Sequence, residues 1–473
     1  MAITSDNGVQ YASGQPYYDH LLTNYFLQLL PDARNNSTVL LSMMDKRPTQ
    51  AVSGRYIVFP VRYGRSTGLN NVGYGGVIPD PGRQNAATYS TITRKGMARI
   101  ALDGDTIRHG KTNGGAYAEA MQIEMEGIVN DIMIDRARQI HNDGSGRIAE
   151  VKTAGTGALT TLTLRINQSI EGAATTRAAG TLDKYLEVGM RLAKFNNAGV
   201  ASKWDATNYV VIVSAVSTSG SDVTIEATST SGAAITFTAD CAIGDWIVRC
   251  STGSTAAQPI KDTAYRREMM GIGGVFSDTG TLNGMIQSGG TGGVMQQVGA
   301  ESDTVTSTVY FQGIASTQDF NKGIVLDNGG AGNRPLTEEL MQQAVSDAEE
   351  LNGANIDLIL SSFPTYNSYV KLLTPDKRYS NTLELAGGHK TLTFNGIAWE
   401  KDRFCYQNRV YFLAMDQFHI LETAPLQALV AGDIATWERL PDQDKYWRGW
   451  TWEDNMIVEV RNRTGAVLTE LSA

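Results

Sequence analysis

The segment Gly104–Thr112 (GDTIRHGKT) comes nearest to a chemical signature in this chain. It lies between a strand pattern and a helix pattern and ends in Gly-Lys-Thr, as a phosphate-cradling loop does. Such a loop places four residues between its glycines, whereas five separate Gly104 from Gly110. The extra residue displaces the backbone N–H groups that must converge on phosphate, so the segment reads as a strand-to-helix turn. Gly289–Gly293 (GGTGG) lacks the spacing and downstream acidic residue of a dinucleotide fingerprint and reads as a loop.

The other reactive residue types are scattered. His20, His109, His141, His389 and His419 stand singly, and no two have the i, i+4 spacing of a helical metal site. Asn142–Gly146 (NDGSG) lacks the ordered acidic ligands and terminal Glu of a calcium loop and reads as a helix stop. Cys241, Cys250 and Cys405 are odd in number and lack metal-like spacing, so neither a disulfide framework nor a zinc site is expected. No serine sits in a G-x-S-x-G elbow. The rings of Tyr446–Trp452 (YWRGWTW), with Trp437 upstream, fit a half-buried strand or an assembly patch better than a ligand-stacking platform. The expectation is a non-enzymatic protein with no catalytic, cofactor-binding or metal residues.

The elements that would carry chemistry instead suggest architecture. Tyr17–Leu30 fits a short amphipathic helix ending at Pro31. Arg55–Tyr63 and Thr88–Leu102 read as two extended arms around a tip, Gly64–Asn85, rich in Gly, Asn and Pro, with little to bury. An arm of about 20 residues could reach on the order of 60 Å. An isolated two-stranded ribbon is marginal in water, so a neighbouring copy is expected to supply its surface.

Ala116–His141 is predicted to be a long helix of roughly 39 Å. Tyr117, Met121, Met125, Ile128, Val129, Ile132 and Ile140 form its apolar stripe. Arg136, Arg138 and His141 suit the macrodipole at its end, and Gly144 and Gly146 stop it. Residues 151–256 are poor in charge, with strand candidates at Leu159–Ile166, Asn208–Ser217, Asp222–Thr228, Ala234–Thr238 and Asp245–Cys250. They predict a small sandwich or barrel inserted into a larger unit. Downstream, Leu336–Asn352 reads as a helix, Ile356–Ser361 as a buried strand and Pro364–Leu373 as a helix. Strands follow at Leu392–Phe394, Arg409–Met415 and Met456–Arg461, giving an α+β class.

At 473 residues and 42% hydrophobic, the chain can bury more than one core. Its net charge of −9 opposes a role in gripping nucleic acid. Only 19% of residues are charged, consistent with a surface buried against other molecules. The N-terminus has no secretory pattern, and no apolar run is long enough to span a bilayer, so assembly in a cytoplasm without a membrane partner is expected.

In this order, an N-terminal arm, an extended hairpin, a long helix with a Gly-rich turn and a later α+β region resemble the major capsid proteins of tailed bacteriophages, the HK97-like fold. Three passages carry the match: Ile134–Ile148 (IDRARQIHNDGSGRI), Leu336–Leu373 around IDLILSS and TYNSYVKLL, and Thr391–Ile420 with its Asn-Gly-Ile turn. The resemblance implies an N-terminal arm at 1–50, an E-loop at 51–110 and a spine helix of the peripheral domain at 111–150. It further implies an inserted all-β domain at 151–256, a connecting segment at 257–330, an axial domain at 331–435 and a peripheral strand region at 436–473.

The function it implies is a virion shell of hexamers and pentamers around double-stranded DNA, touched non-specifically. Portal, scaffolding and decoration proteins would be partners. Two departures from the family stand out. The tip holds no Lys for cross-linking, Lys95 lying on the return arm, so no covalent chainmail is expected. About 50 residues precede the loop, so a separate scaffolding protein and no N-terminal cleavage are expected. The insert is expected on the outer surface or against neighbours. Rivals are an encapsulin-like nanocompartment shell, a surface-layer or adhesive protein, and a phosphate-binding enzyme.

Overall fold

The computed structural model describes residues 39–48, 57–66, 68–91, 93–103, 114–153, 159–165, 186–196, 201–205, 207–219, 222–237, 240–251, 263–265, 267–276, 310–311, 314–315, 319–328, 333–373, 382–384, 390–429, 438–439 and 444–472. The expected helix at Tyr17–Leu30, the turn at Gly104–Thr112 and the loop at Gly289–Gly293 lie outside them.

The first elements are α1 (Val39–Met43), β1 (Asp45–Pro48) and a ribbon of β2 (Ile57–Arg62) and β3 (Ala86–Thr91). β4 (Arg94–Asp103) and the long helix α2 (Gly114–His141) follow. Next come β5 (Arg147–Val151), β6 (Thr161–Arg165), β7 (Arg191–Phe195), β8 (Ala201–Ser202), β9 (Val210–Ser219), β10 (Asp222–Thr228), β11 (Trp246–Arg249) and α3 (Ile272–Val275).

A hairpin of β12 (Tyr310–Phe311) and β13 (Ile314–Ala315) leads to β14 (Ile324–Leu326), α4 (Glu338–Asn352), β15 (Leu358–Ser361) and α5 (Phe363–Leu373). The last elements are β16 (Thr382–Glu384), β17 (Lys390–Phe394), β18 (Ile397–Lys401), β19 (Val410–Leu413), β20 (Phe418–Ala428), β21 (Glu438–Arg439), β22 (Lys445–Val458) and β23 (Gly465–Leu468). Helix and strand are mixed, as expected of an α+β chain.

β22, fourteen residues long, organises the first sheet. It pairs antiparallel with β20 and with β4, and β1 runs parallel to β20. One face packs on α2: Trp450, Trp452 and Leu426 meet Ile128, Val129 and Ile132 of the predicted stripe, with Ala98 and Ile100 beside them. Gly96 is required here, because a Cβ at that position would lie 2.0 Å from the Trp452 ring. The aromatic run is therefore a packing strand.

The return arm expected as one element is divided. β3 pairs with β2 over six residues, about 20 Å. β4, two residues later, crosses into the sheet of β22. The ribbon is thus shorter than the sequence suggested, because the alternation of Arg94–Leu102 fits a sheet lying on α2.

Within the expected β segment the strands close on themselves. Neighbours run β11-β5-β6-β10-β9-β7, and β7 pairs back to β11, every pair antiparallel. The result is a six-stranded barrel with β8 added to β7. Its sheet includes β5, upstream of 151–256. Ala234 and Phe237 form only isolated bridges, whereas Arg191–Phe195, not foreseen, is a closing strand.

The last sheet has the order β14-β23-β19-β15-β18-β17-β16. α4 and α5 lie on it. Thr337 caps α4 by accepting the Leu340 N–H (3.3 Å), and Gly353 ends it with φ 64°. Tyr369 of α5 stacks on Trp399 at 4.2 Å.

These parts meet at the end of α2, where Arg136 through Arg147 are all buried. Arg136 pairs with Asp454 of β22, and Arg138 with Glu268. Asp135 binds Arg138 (3.0 Å) and Arg249 at the end of barrel strand β11 (2.5 Å). His141 lies 3.2 Å from Asp402 after β18. Asn455 accepts the Met270 N–H (3.1 Å) and donates to Thr91 of the ribbon (3.2 Å). Gly146, at φ 78°, lets the turn approach Ala264, whose carbonyl oxygen would be 2.0 Å from a Cβ.

Burial acts to raise the Asp135 pKa, but Arg249 and Arg138 outweigh it and hold the carboxyl well below its usual range. Since the depressed value belongs to the folded state, this stabilisation is complete above about pH 5 and drains away as pH falls below ~3.9. Asp135→Asn is expected to lower stability by about 3 kcal/mol at neutral pH. In urea titrations the gap between parent and variant should persist down to about pH 4 and close only below it.

Candidate assembly surface

The ribbon tip is shaped by its glycines. Tyr63 and Gly64 both donate backbone N–H groups to the Asn85 carbonyl (3.1 and 3.3 Å), continuing the ribbon one step beyond β2. Gly68 faces Gly82 so closely that a Cβ would lie 2.5 Å from the Gly82 nitrogen. At the apex the Gly76 N–H donates to the Gly73 carbonyl (2.9 Å), with Gly75 at φ 81°. Glycine thus lets the two legs run close together and reverse.

On this scaffold Leu69, Val72, Tyr74, Val77 and Ile78 are all exposed, Leu69 by 89% and Ile78 by 85%. Five large apolar side chains are thus displayed to solvent within 22 residues, an amount of exposed apolar surface that an interaction site would use. Charge on the tip is slight: Arg65 and Arg83 against Asp80. The sequence reading missed this patch because its Gly and Asn content suggested a segment with little to bury. The signal was present in the interspersed Leu, Val, Tyr, Val and Ile.

The base, by contrast, is anchored on the same chain. Tyr89 is buried, packs near Phe59 (5.4 Å), and donates its hydroxyl to Asn321 Oδ1 (3.1 Å). Burial raises the Tyr89 pKa to about 12, so the hydroxyl stays a donor at neutral pH. Tyr63 stacks on Phe320 at 4.4 Å, and Arg461 donates to the Asn321 carbonyl at 2.8 Å. The expectation that the ribbon lacks a surface of its own is therefore corrected: the base is seated, and the tip is bare.

The sequence candidates for chemistry do not converge. His141 sits in the buried junction, and His419 pairs with Glu459 at 3.1 Å. His20, His109, His389 and Trp437 fall outside the described residues. Asn142–Gly146 is the expected helix stop, with the Ser145 N–H donating to Asp143 Oδ1 (2.8 Å). Cys241, Cys250 and Cys405 are buried, and burial pushes the Cys241 thiol up to about 11. Among the described residues no group of three or more His, Cys, Asp or Glu could hold a metal, and no helix is long and apolar enough to cross a membrane. What sequence reasoning missed is the junction itself, since in the linear chain the helix dipole already accounts for Arg136 and Arg138.

No protein-family model matches the chain, and no curated protein does. Solved structures do match. The cyanophage A-1(L) capsid asymmetric unit is 10% identical, covers 100% of this chain and 98% of its own, and has a TM-score of 0.41. The capsid of an empty GTA particle is 7% identical over 92% of this chain and 91% of its own, also at TM-score 0.41. The holo-SrpI encapsulin complex of Synechococcus elongatus is 9% identical and covers 33% of this chain and 57% of its own, at TM-score 0.25.

Because the tip side chains contact solvent, Leu69→Ser with Ile78→Ser is expected to shift subunit stability by no more than about 0.5 kcal/mol. Thermal melts of dispersed subunits measure this.

Proposed function

We propose that this chain is the major capsid protein of a tailed bacteriophage, of HK97-like fold, and that its role is structural rather than catalytic. The observation that carries the reading is the ribbon with a seated base and a bare apolar tip. A rigid arm that displays five large hydrophobic residues gains free energy only by delivering them to another molecule. A repeating lattice of identical copies provides such a partner for every arm.

In this reading the segments take the boundaries given above, from the arm at 1–50 to the strand region at 436–473. Copies form hexamers and pentamers of an icosahedral shell around double-stranded DNA. The chain's net charge of −9 suits a container that tolerates DNA without gripping it. Portal, a separate scaffolding protein and a decoration protein are the partners, and assembly takes place in the host cytoplasm. The barrel lies on the outside or between neighbours and stiffens the shell.

Electron microscopy of the expressed chain, with its scaffolding partner, tests this directly. Closed shells are expected, and Leu69→Ser with Ile78→Ser should abolish them without unfolding the subunit. Packaged nucleic acid supports the capsid reading, and an enclosed enzyme would instead support a nanocompartment. A compact monomer whose tip folds back on itself would end both. Since Gly64–Asn85 contains no Lys, denaturing gels of shells should show a single monomer band, whereas a ladder would reveal cross-linking.

A further inference from the structure

The root of the ribbon gathers more positive charge than its ion pairs use. Arg94 opens β4, on the same side of the strand as Ala98 and Ile100, which pack on α2. In register it stands opposite Asp454 of β22, but Asp454 is engaged by Arg136. The Arg94 Nε is buried without a hydrogen-bond partner among the described residues. A guanidinium is all donor and keeps its charge at neutral pH, so burying it with a donor unmet is costly.

A second arginine is held beside it. Arg267 lies in a turn, its N–H donating to the Ala264 carbonyl (3.0 Å). The turn is pinned near the start of β4 by two neighbours. The Met270 N–H donates to Asn455, the residue after Asp454 (3.1 Å), and Glu268 pairs with Arg138. Burial first, and then the charge of Arg267, push the Arg94 pKa down to about 10. Arg94 therefore remains protonated at neutral pH and is repelled by a like charge.

The carboxylates of the junction are already committed. Glu268, adjacent to Arg267, serves Arg138 and lies 3.4 Å from Arg249. Asp135 serves Arg138 and Arg249, and Asp454 serves Arg136. Arg94 is surplus to these pairs. Two opposed guanidiniums of this kind suit an incoming oxyanion. One carboxylate would offset one charge, whereas a phosphate group carries nearly two and has enough acceptor oxygens for a forked bond from each arginine. Arg94 is half-buried and Arg267 exposed, so solvent reaches the site from one side while the junction backs the other.

We propose that Arg94 and Arg267 form a binding site for a phosphate group at the root of the ribbon. The bound anion ties the segment before α3 to the step where the chain passes from ribbon to sheet. Inorganic phosphate and a nucleic-acid backbone present the same chemistry here, and the test separates them. The site lies within one copy, so it stands or falls independently of shell formation.

Inorganic phosphate titrated into the dispersed full chain, at ionic strength held constant with chloride, is read by calorimetry and thermal melts. Saturable binding and a rising midpoint are expected. Arg94→Gln and Arg267→Gln should each weaken binding by about tenfold or more, with Arg94→Lys, which keeps the charge and loses the fork, falling between parent and Arg94→Gln. Without phosphate, Arg94→Gln should melt no lower than the parent, because it removes a charge that lacks a partner. A purely structural arginine would behave in the opposite way.

No saturable binding by the parent, equal binding by Arg94→Gln, or a lowered phosphate-free midpoint in that variant would each overturn the site. A short DNA duplex that displaces phosphate from the parent supports the site with a nucleic-acid backbone as its ligand. A duplex that leaves phosphate bound supports it with free phosphate instead.

Discussion

The fold depends on burying charge at the end of the long helix. Arg136, Arg138, Asp135, Glu268 and Asp454 lie at or near the interior, where an unpaired ion is costly. Each must find its opposite, and the partners come from different parts of the chain: the helix, the barrel, the segment before α3 and the long C-terminal strand. Apolar packing alone would tolerate some sliding between these parts. Fixed ion pairs and the Asn455 hydrogen bonds do not, so the junction sets the angle at which barrel, sheet and ribbon leave the helix.

That rigidity gives the ribbon its mechanical meaning. β3 is tied to the junction through Thr91 and to Asn321 through Tyr89, and β4 continues two residues later along β22. Movement of the tip is therefore coupled to the sheet on α2. A loose tether could carry the same five hydrophobic residues, but it would lose more conformational entropy on docking.

Legibility in the sequence followed the physics of each element. The long helix was readable because its stripe, its lack of Pro and its terminal glycines agree over many residues. α4 was readable from its amphipathic pattern and from Gly353 at its end, but its Thr337 cap, which starts the helix two residues later than the pattern suggests, was not. The closing barrel strand Arg191–Phe195 was not, since RLAKF shows no alternation once Lys194 is buried against Asp245 (2.8 Å). The division of the return arm between ribbon and sheet was hidden for a similar reason: both halves are extended, and only tertiary pairing separates them. The junction was invisible because buried and solvated arginines look alike in a linear string. At the tip, composition drew attention to the glycines and away from the residues they display.

The barrel has a further consequence. Among the described residues, pairing of β7 with β11 closes the six strands into a cylinder, to which the two-residue β8 adds a short edge. Where many copies of a chain crowd together, an open sheet would invite backbone stitching from one molecule to the next, in registers that no side chain specifies. A closed cylinder presents little backbone for such pairing and so carries little danger of fibrous aggregation.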